Sequence, residues 1–249
     1  MRAFNAELSK LLSLPGIWLA LFIGAFAPAV FAALDSLTQK ADIIAGTSTR
    51  LAEVGYIGLG FGVQGVIILG ALAVSSEYLT ESSESGGGQQ MTTSLSVVSS
   101  RLYVLLAKAG AVTVISALLC MIAIIIMVPT THLILDEYAP AFEWSRLFGA
   151  LCYWIFTALL AVGFTVLTKN GVIPLAVLMI NSSIVSFSVL LSKITTLAVY
   201  LPDRAGIDMF MSMSDRFHTP FIGGLVMFAW VFVLFIIAAI VFYRRDVAA

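Results

Sequence analysis

Six stretches of the chain run 19 to 25 residues without a charged side chain: Gly16–Leu34, Val54–Ser75, Ala109–Thr131, Leu147–Thr168, Asn170–Ser192 and Thr219–Tyr243. A helix needs about 20 mostly apolar residues to cross the ~30 Å hydrocarbon layer of a bilayer. In lipid the backbone must satisfy its own hydrogen bonds, which selects helices for segments of this kind. The runs predict an all-α membrane protein with six transmembrane helices, placed near 16–34, 54–75, 104–128, 147–168, 171–192 and 219–243. Charged residues make up 11% of the chain, against roughly 25% in soluble domains. That shortage leaves no room for a soluble catalytic domain, so residues 1–249 read as a single transmembrane domain.

An even number of spans puts both termini on one side, and lysine and arginine favour the cytoplasm. With the termini inside, the inner segments hold Arg2, Lys10, Arg101, Lys108, Lys169, Arg244 and Arg245. The outer segments hold Lys40, Arg50, Arg146, Lys193, Arg204 and Arg216. Arg244 and Arg245 abut the last span and Lys169 sits in a very short connection, so the expected topology has both termini cytoplasmic. Arg2, Lys10 and the first apolar run resemble a signal peptide, but the run is too long for one and more spans follow, so it reads as a retained first helix. Cys120 and Cys152 both lie inside apolar runs and read as packing residues rather than a disulfide or metal pair.

Before the first span, Phe4, Leu8, Leu11 and Leu12 fall on one helical face, with Arg2, Asn5, Glu7, Ser9 and Lys10 on the other. This predicts an interfacial helix over 3–13 that turns at Pro15. The second run is glycine-rich, and Gly58 and Gly62 form a pattern that lets another helix approach closely. Gln64 in its middle either bonds a neighbouring helix or meets a transported compound. Asn181, Ser182 and Ser183 at the centre of the fifth run pose the same pair of alternatives, since polar groups at that depth face protein or water rather than lipid.

After the second run comes a serine-, glutamate- and glycine-rich hinge, then Met91, Leu95, Val98 and Leu102 on one face of a short amphipathic helix. Between the fifth and sixth runs, charged residues alternate with apolar pieces, among them Met209, Phe210, Met211 and Met213. A solvated loop has no use for those side chains; short external re-entrant helices, or helices capping the bundle, do. The sequence carries no HExxH, no GxSxG and no phosphate loop, none of the five lysines being preceded by glycine. No apolar run holds a charge in its middle, which a proton-coupled carrier usually needs.

Three segments together resemble the membrane permease subunits of type-2 ABC exporters, in particular the small permeases of bacteria that export bacteriocins, bacitracin-like antibiotics and drugs. They are Glu7, Lys10, Leu11 and Ser13 before the first span; Glu77-Tyr78, Gly88, Thr93-Ser94-Leu95, Arg101 and Ala107-Lys108 around the second connection; and the terminal FYRRDV at 242–247. The connection is longer than is usual for the family, so Glu84 competes with Glu77 as the equivalent acid, and Ser99 or Ser100 stands where the family commonly has proline. The resemblance implies that 86–100 is a cytoplasmic coupling helix seated on a separate ATP-binding-cassette subunit, with Glu77, Glu84, Gln89, Gln90, Met91, Leu95, Val98 and Arg101 at or near that contact.

ATP and Mg would then be bound by the partner ATPase, with no cofactor, metal or catalytic residue in this chain and no nucleic-acid partner. A second permease half, identical or related, would complete a pathway in the bacterial plasma membrane, with Gln64, Asn181, Ser182 and Ser183 as pathway candidates. Two other functions compete with an exporter half: an ATP-independent carrier or channel, and a membrane scaffold that transports nothing. Co-purification with an ATPase separates the first from both.

Overall fold

Every regular element among the described residues is a helix. The computed structural model describes residues 2–78, 101–182, 187–212 and 218–244. In chain order the α-helices are α1 (Arg2–Ser13), α2 (Pro15–Ile44), α3 (Tyr56–Ser75), α4 (Arg101–Leu135), α5 (Trp144–Thr168), α6 (Val172–Asn181), α7 (Phe187–Ser192), α8 (Pro202–Ile207) and α9 (Pro220–Arg244). Short 3-10 turns lie at Leu51–Glu53, Asp136–Tyr138 and Thr196–Tyr200. Among the described residues, five helical stretches are long and apolar enough to cross a membrane: Pro15–Ile44, Leu51–Ser75, Leu102–Tyr138, Trp144–Thr168 and Pro220–Phe242.

The centre of the bundle is α3. Its core-facing residues Leu59, Val63, Val66, Ile67, Leu69 and Val74 are fully buried, against α2, α4 and α5. Small residues make this close approach possible. A Cβ on Gly58 would come within 2.2 Å of the Pro28 carbonyl oxygen, and one on Gly62 within 2.3 Å of the Pro28 ring and 2.6 Å of Trp154. The pair of glycines four residues apart therefore serves packing against α2 and α5 within one chain. Trp154 settles on the same surface, its indole N–H donating to the Leu59 carbonyl at 2.9 Å.

Two helices run past the spans expected from the sequence. Helix α2 has 30 residues, about 45 Å at 1.5 Å per residue, and continues through Asp35 and Lys40 where a polar connection was expected. Local bonds support the extension, with Gln39 donating to Asp35 at 2.6 Å and Thr38 to the Asp35 carbonyl at 2.9 Å. Its far end is anchored by Lys40 donating to the Ile134 carbonyl and by Ile43, which packs with Val54 and Leu135 in a small second core. Helix α4, with 35 residues, likewise passes through Pro129, where a loop was expected.

The fifth apolar run differs in the other direction. Among the described residues it is not one helix: α6 ends at Asn181 after ten residues and α7 begins at Phe187. At the end of α6 the Ser182 hydroxyl donates to the Leu178 carbonyl at 2.8 Å, and the Ser182 N–H shares that carbonyl. Side-chain competition of this kind favours helix ends over helix interiors. The short helices after it pack into the bundle: Met209, Phe210 and Met211 are buried, and Gly206 lies so close to Tyr153 that a Cβ would come within 2.4 Å of its ring.

Candidate functional site

Among the described residues, three clusters of polar side chains are buried in this apolar bundle. The first joins α1, the end of α3 and the start of α4. Lys108 donates to Glu7 at 2.6 Å and to the Ala73 carbonyl at 2.9 Å, and lies 3.1 Å from Glu77. Lys10 pairs with Glu77 from the other side. Two lysines and two glutamates cancel, which is what permits burial of Glu77 at 0% and Lys108 at 4% exposure. The Glu77 Oε2 atom is buried with no hydrogen-bond partner, so the cluster is neutral but not saturated.

The second cluster closes the opposite end of the bundle around Arg146, near the start of α5. Its Nε donates to the Phe210 carbonyl at 2.6 Å, one terminal nitrogen to the Ala52 carbonyl at 2.7 Å and the other to Glu53 at 2.8 Å. The guanidinium carbon lies 3.7 Å over the Tyr56 ring. The other Glu53 oxygen accepts from the Ser212 N–H at 3.1 Å, and the Tyr56 oxygen accepts from the Glu143 N–H at 2.9 Å. Two separate connections, at Ala52–Glu53 and at Phe210, are thus gathered on one planar cation, a task that suits arginine's fixed fork. Nearby, both the backbone N–H and the ring Nδ1 of His218 meet Asp208 Oδ2, at 3.0 and 3.1 Å.

The third cluster lies level with the middle of α5. Gln64 of α3 donates to the Ser182 hydroxyl at 2.9 Å, which staples α3 to the end of α6, while the Gln64 oxygen is buried without a partner. Ser188 of α7 approaches Asp203 of α8 at 2.5 Å and Asn181 at 3.4 Å. A hydroxyl has one proton, and the shorter contact with the carboxylate takes it. Between these elements is a chamber of about 20 Å³ lined by Tyr153, Thr157, Asn181, Ser182 and Asp203, with Leu178, Leu160, Pro202 and Met227 as apolar walls. A separate groove of about 370 Å³, walled by Phe148, Phe156, Phe221 and Phe228, opens between α5 and α9.

Of the residues singled out in the sequence, the structure brings Gln64, Asn181 and Ser182 together at the third cluster and puts Glu77 in the first. Arg101 begins α4. Glu84, Gln89, Gln90, Met91, Leu95, Val98 and the whole of 86–100 lie outside the described residues, as does Ser183. Cys120 is buried, Cys152 is half-buried, and neither is in a disulfide. Arg146 entered the sequence reading only in the charge count and Asp203 only as one of the charges of the last connection, and Glu53 was not singled out, because each sits outside the uncharged runs. The one signal for Asp203 is its place between two apolar pieces, Leu197–Leu201 and Met209–Met213, in a connection too greasy to be solvated. No family model matches the chain, and no curated protein does.

Proposed function

We propose that the chain is the membrane permease half of an ATP-driven exporter of a hydrophobic or amphipathic compound, such as an antimicrobial peptide, antibiotic or drug. In this reading six spans cross the bacterial plasma membrane, the fifth being the interrupted α6–α7 segment, and both termini are cytoplasmic. ATP and Mg are bound by a separate ATP-binding-cassette subunit, and a second permease half completes the pathway.

The observation that carries the reading is the first charge cluster. Glu7, Lys10, Glu77 and Lys108 are far apart in sequence, come from the segments that carry the resemblance, and meet in one buried network. Its place gives it mechanical sense. Glu77 stands just before residues 79–100 and Lys108 two helical turns after them, so both roots of that segment are tied to α1. A load applied to the segment by an ATPase would pass through these charges into α1, α3 and α4 together.

Affinity purification of the tagged chain from its native membrane is expected to retain an ATP-binding-cassette ATPase. Leu95→Asp should abolish that association while the protein still inserts. Retention of the ATPase by the variant at the unaltered level, or its absence from the unaltered complex, overturns the reading. A second reading, an ion-coupled carrier, is favoured by one observation: a buried carboxylate, Asp203, is packed level with the middle of α5 although every apolar run lacks a charge. A carrier of that kind transports in reconstituted vesicles with no ATPase present.

A further inference from the structure

The groove between α5 and α9 runs lengthwise along two helices that are long and apolar enough to cross a membrane. It starts at Ser145 and Pro220, near the first residues of both helices, and ends where the Phe156 and Phe228 rings meet edge to face, 6.4 Å between centroids. Ser145 and Phe156 are about 16 Å apart along the axis of α5 at ~1.5 Å per residue. That is roughly half of the ~30 Å hydrocarbon layer, so the groove is one leaflet deep. Trp144 at the open end is 85% exposed, and tryptophan is a side chain that collects at the membrane–water interface. Met209 holds the two helices apart: Gly149 packs on its carbonyl and Gly224 faces its terminal methyl.

What fills this groove follows from its lining. None of the described residues that line it is charged, and its polar side chains are Ser145 at the mouth and Cys152. Sites for small compounds carry placed polar groups that fix orientation, and this lining is poor in them. Its walls are continuous with the surface that lipid covers. Phe148 and Phe221 are 65% and 75% exposed, and Phe228 stacks on Phe232, which extends the exposed face of α9. Size excludes a helix from a neighbouring protein. A helical segment about 16 Å long and ~10 Å across occupies on the order of 1,200 Å³, against about 370 Å³ here. Left empty, the groove would forfeit van der Waals contacts along both walls. A flexible hydrocarbon chain restores them.

We propose that the groove holds one acyl tail of a membrane phospholipid, lying lengthwise from the Phe148 and Phe221 mouth to the Phe156–Phe228 end. In lipid, apolar helix surfaces have no hydrophobic drive to close on one another, and Met209 keeps these two from doing so. The tail is therefore a part of the packing between α5 and α9, held longer than the lipids that border the other exposed helices. This needs only that α5 and α9 lie in the membrane, and it holds whether or not an ATPase drives transport.

The test places the purified full chain in lipid nanodiscs doped with a phosphatidylethanolamine that carries a photoactivatable diazirine midway along one tail. Adducts are mapped by peptide mass spectrometry. They should concentrate on residues 148–156 and 221–228, in excess over the exposed face of α4 at Leu118, Ile122 and Ile125. A Cβ on Gly224 would meet only the tip of Met209, at 3.6 Å, so Gly224→Leu fills the groove without displacing backbone. It should abolish the excess and leave the labelling of α4 as it was. Cys152→Leu fills the groove from the other wall and decides the matter if Gly224→Leu does not fold. Adducts spread evenly over the exposed helices would overturn the proposal and leave ordinary boundary lipid. An excess that survives the filling variants would overturn it too, by putting the tail elsewhere. Efficient oxidative cross-linking of two chains through Cys152, with no lipid excess, would give the groove to a second copy and overturn it as well.

Discussion

The two ends of the bundle bury charge in opposite styles. At the Arg146 end one guanidinium makes bonds to two carbonyls and a carboxylate at 2.6–2.8 Å and lies on an aromatic ring. Its partners are mostly backbone, its geometry is planar and fixed, and its carboxylate is occupied on both oxygens. At the α1 end, two lysines share two glutamates, and one glutamate oxygen has no partner. Ammonium groups on long flexible stems are point charges that exchange acceptors without a directional penalty. The first arrangement is a clamp, and the second is a joint whose pairings can be redealt. The joint sits at the roots of the segment proposed above as an ATPase contact; the clamp sits at the other end of the bundle.

The sharpest way to break this comparison is Arg146→Lys. One ammonium cannot reach the Phe210 and Ala52 carbonyls and Glu53 together, and it loses the stacking on Tyr56. The expected cost is about 3–5 kcal/mol, the range for breaking a buried ion pair, read as a fall on the order of 10 °C in the unfolding midpoint. A fall within 2 °C would mean that the fork geometry is unimportant and that the clamp is only another charge pair.

A middle-sized effect is expected at the joint. Glu77→Gln removes one acid but leaves Lys108 its bonds to Glu7 and the Ala73 carbonyl, so the cost should be about 1–3 kcal/mol. Combining it with Glu7→Gln should cost more than the sum of the two single changes, because the second change strands both lysines. Strict additivity in that cycle would show four independent charges in place of a network.

The smallest effect belongs to the mid-bundle staple. Gln64→Leu loses one bond to Ser182 but also removes a buried amide oxygen that has no partner. The two changes oppose each other, and the net shift should stay within about 1 kcal/mol. A larger loss in stability would place Gln64 with the clamp as a structural fixture. An altered compound profile at unchanged stability would move it to the transport pathway.

The helical, membrane-embedded character of this chain was legible in the sequence because it depends on local quantities: run length, the scarcity of charge and the need of a backbone in lipid to bond to itself. The amphipathic pattern that makes α1 a helix is local in the same sense, whereas the end of α6 at Asn181 was missed, because an uncharged run predicts one continuous span whether or not a serine competes for its carbonyls. Glu7, Lys10, Glu77 and Lys108 could each be noticed as residues, but not as one network, since a pairing over 67 to 101 positions leaves no periodic trace. The steep rise in cost of an unpaired charge on burial is a tertiary effect, and burial is what turns these four side chains from surface charges into a joint. The length of α2 was likewise decided late, by Lys40 finding the Ile134 carbonyl and Ile43 finding Val54. Asp203 is the clearest case: its sequence neighbours put it in a connection between spans, and only the packing of α8 against α5 and α9 carries its carboxylate into the middle of the bundle.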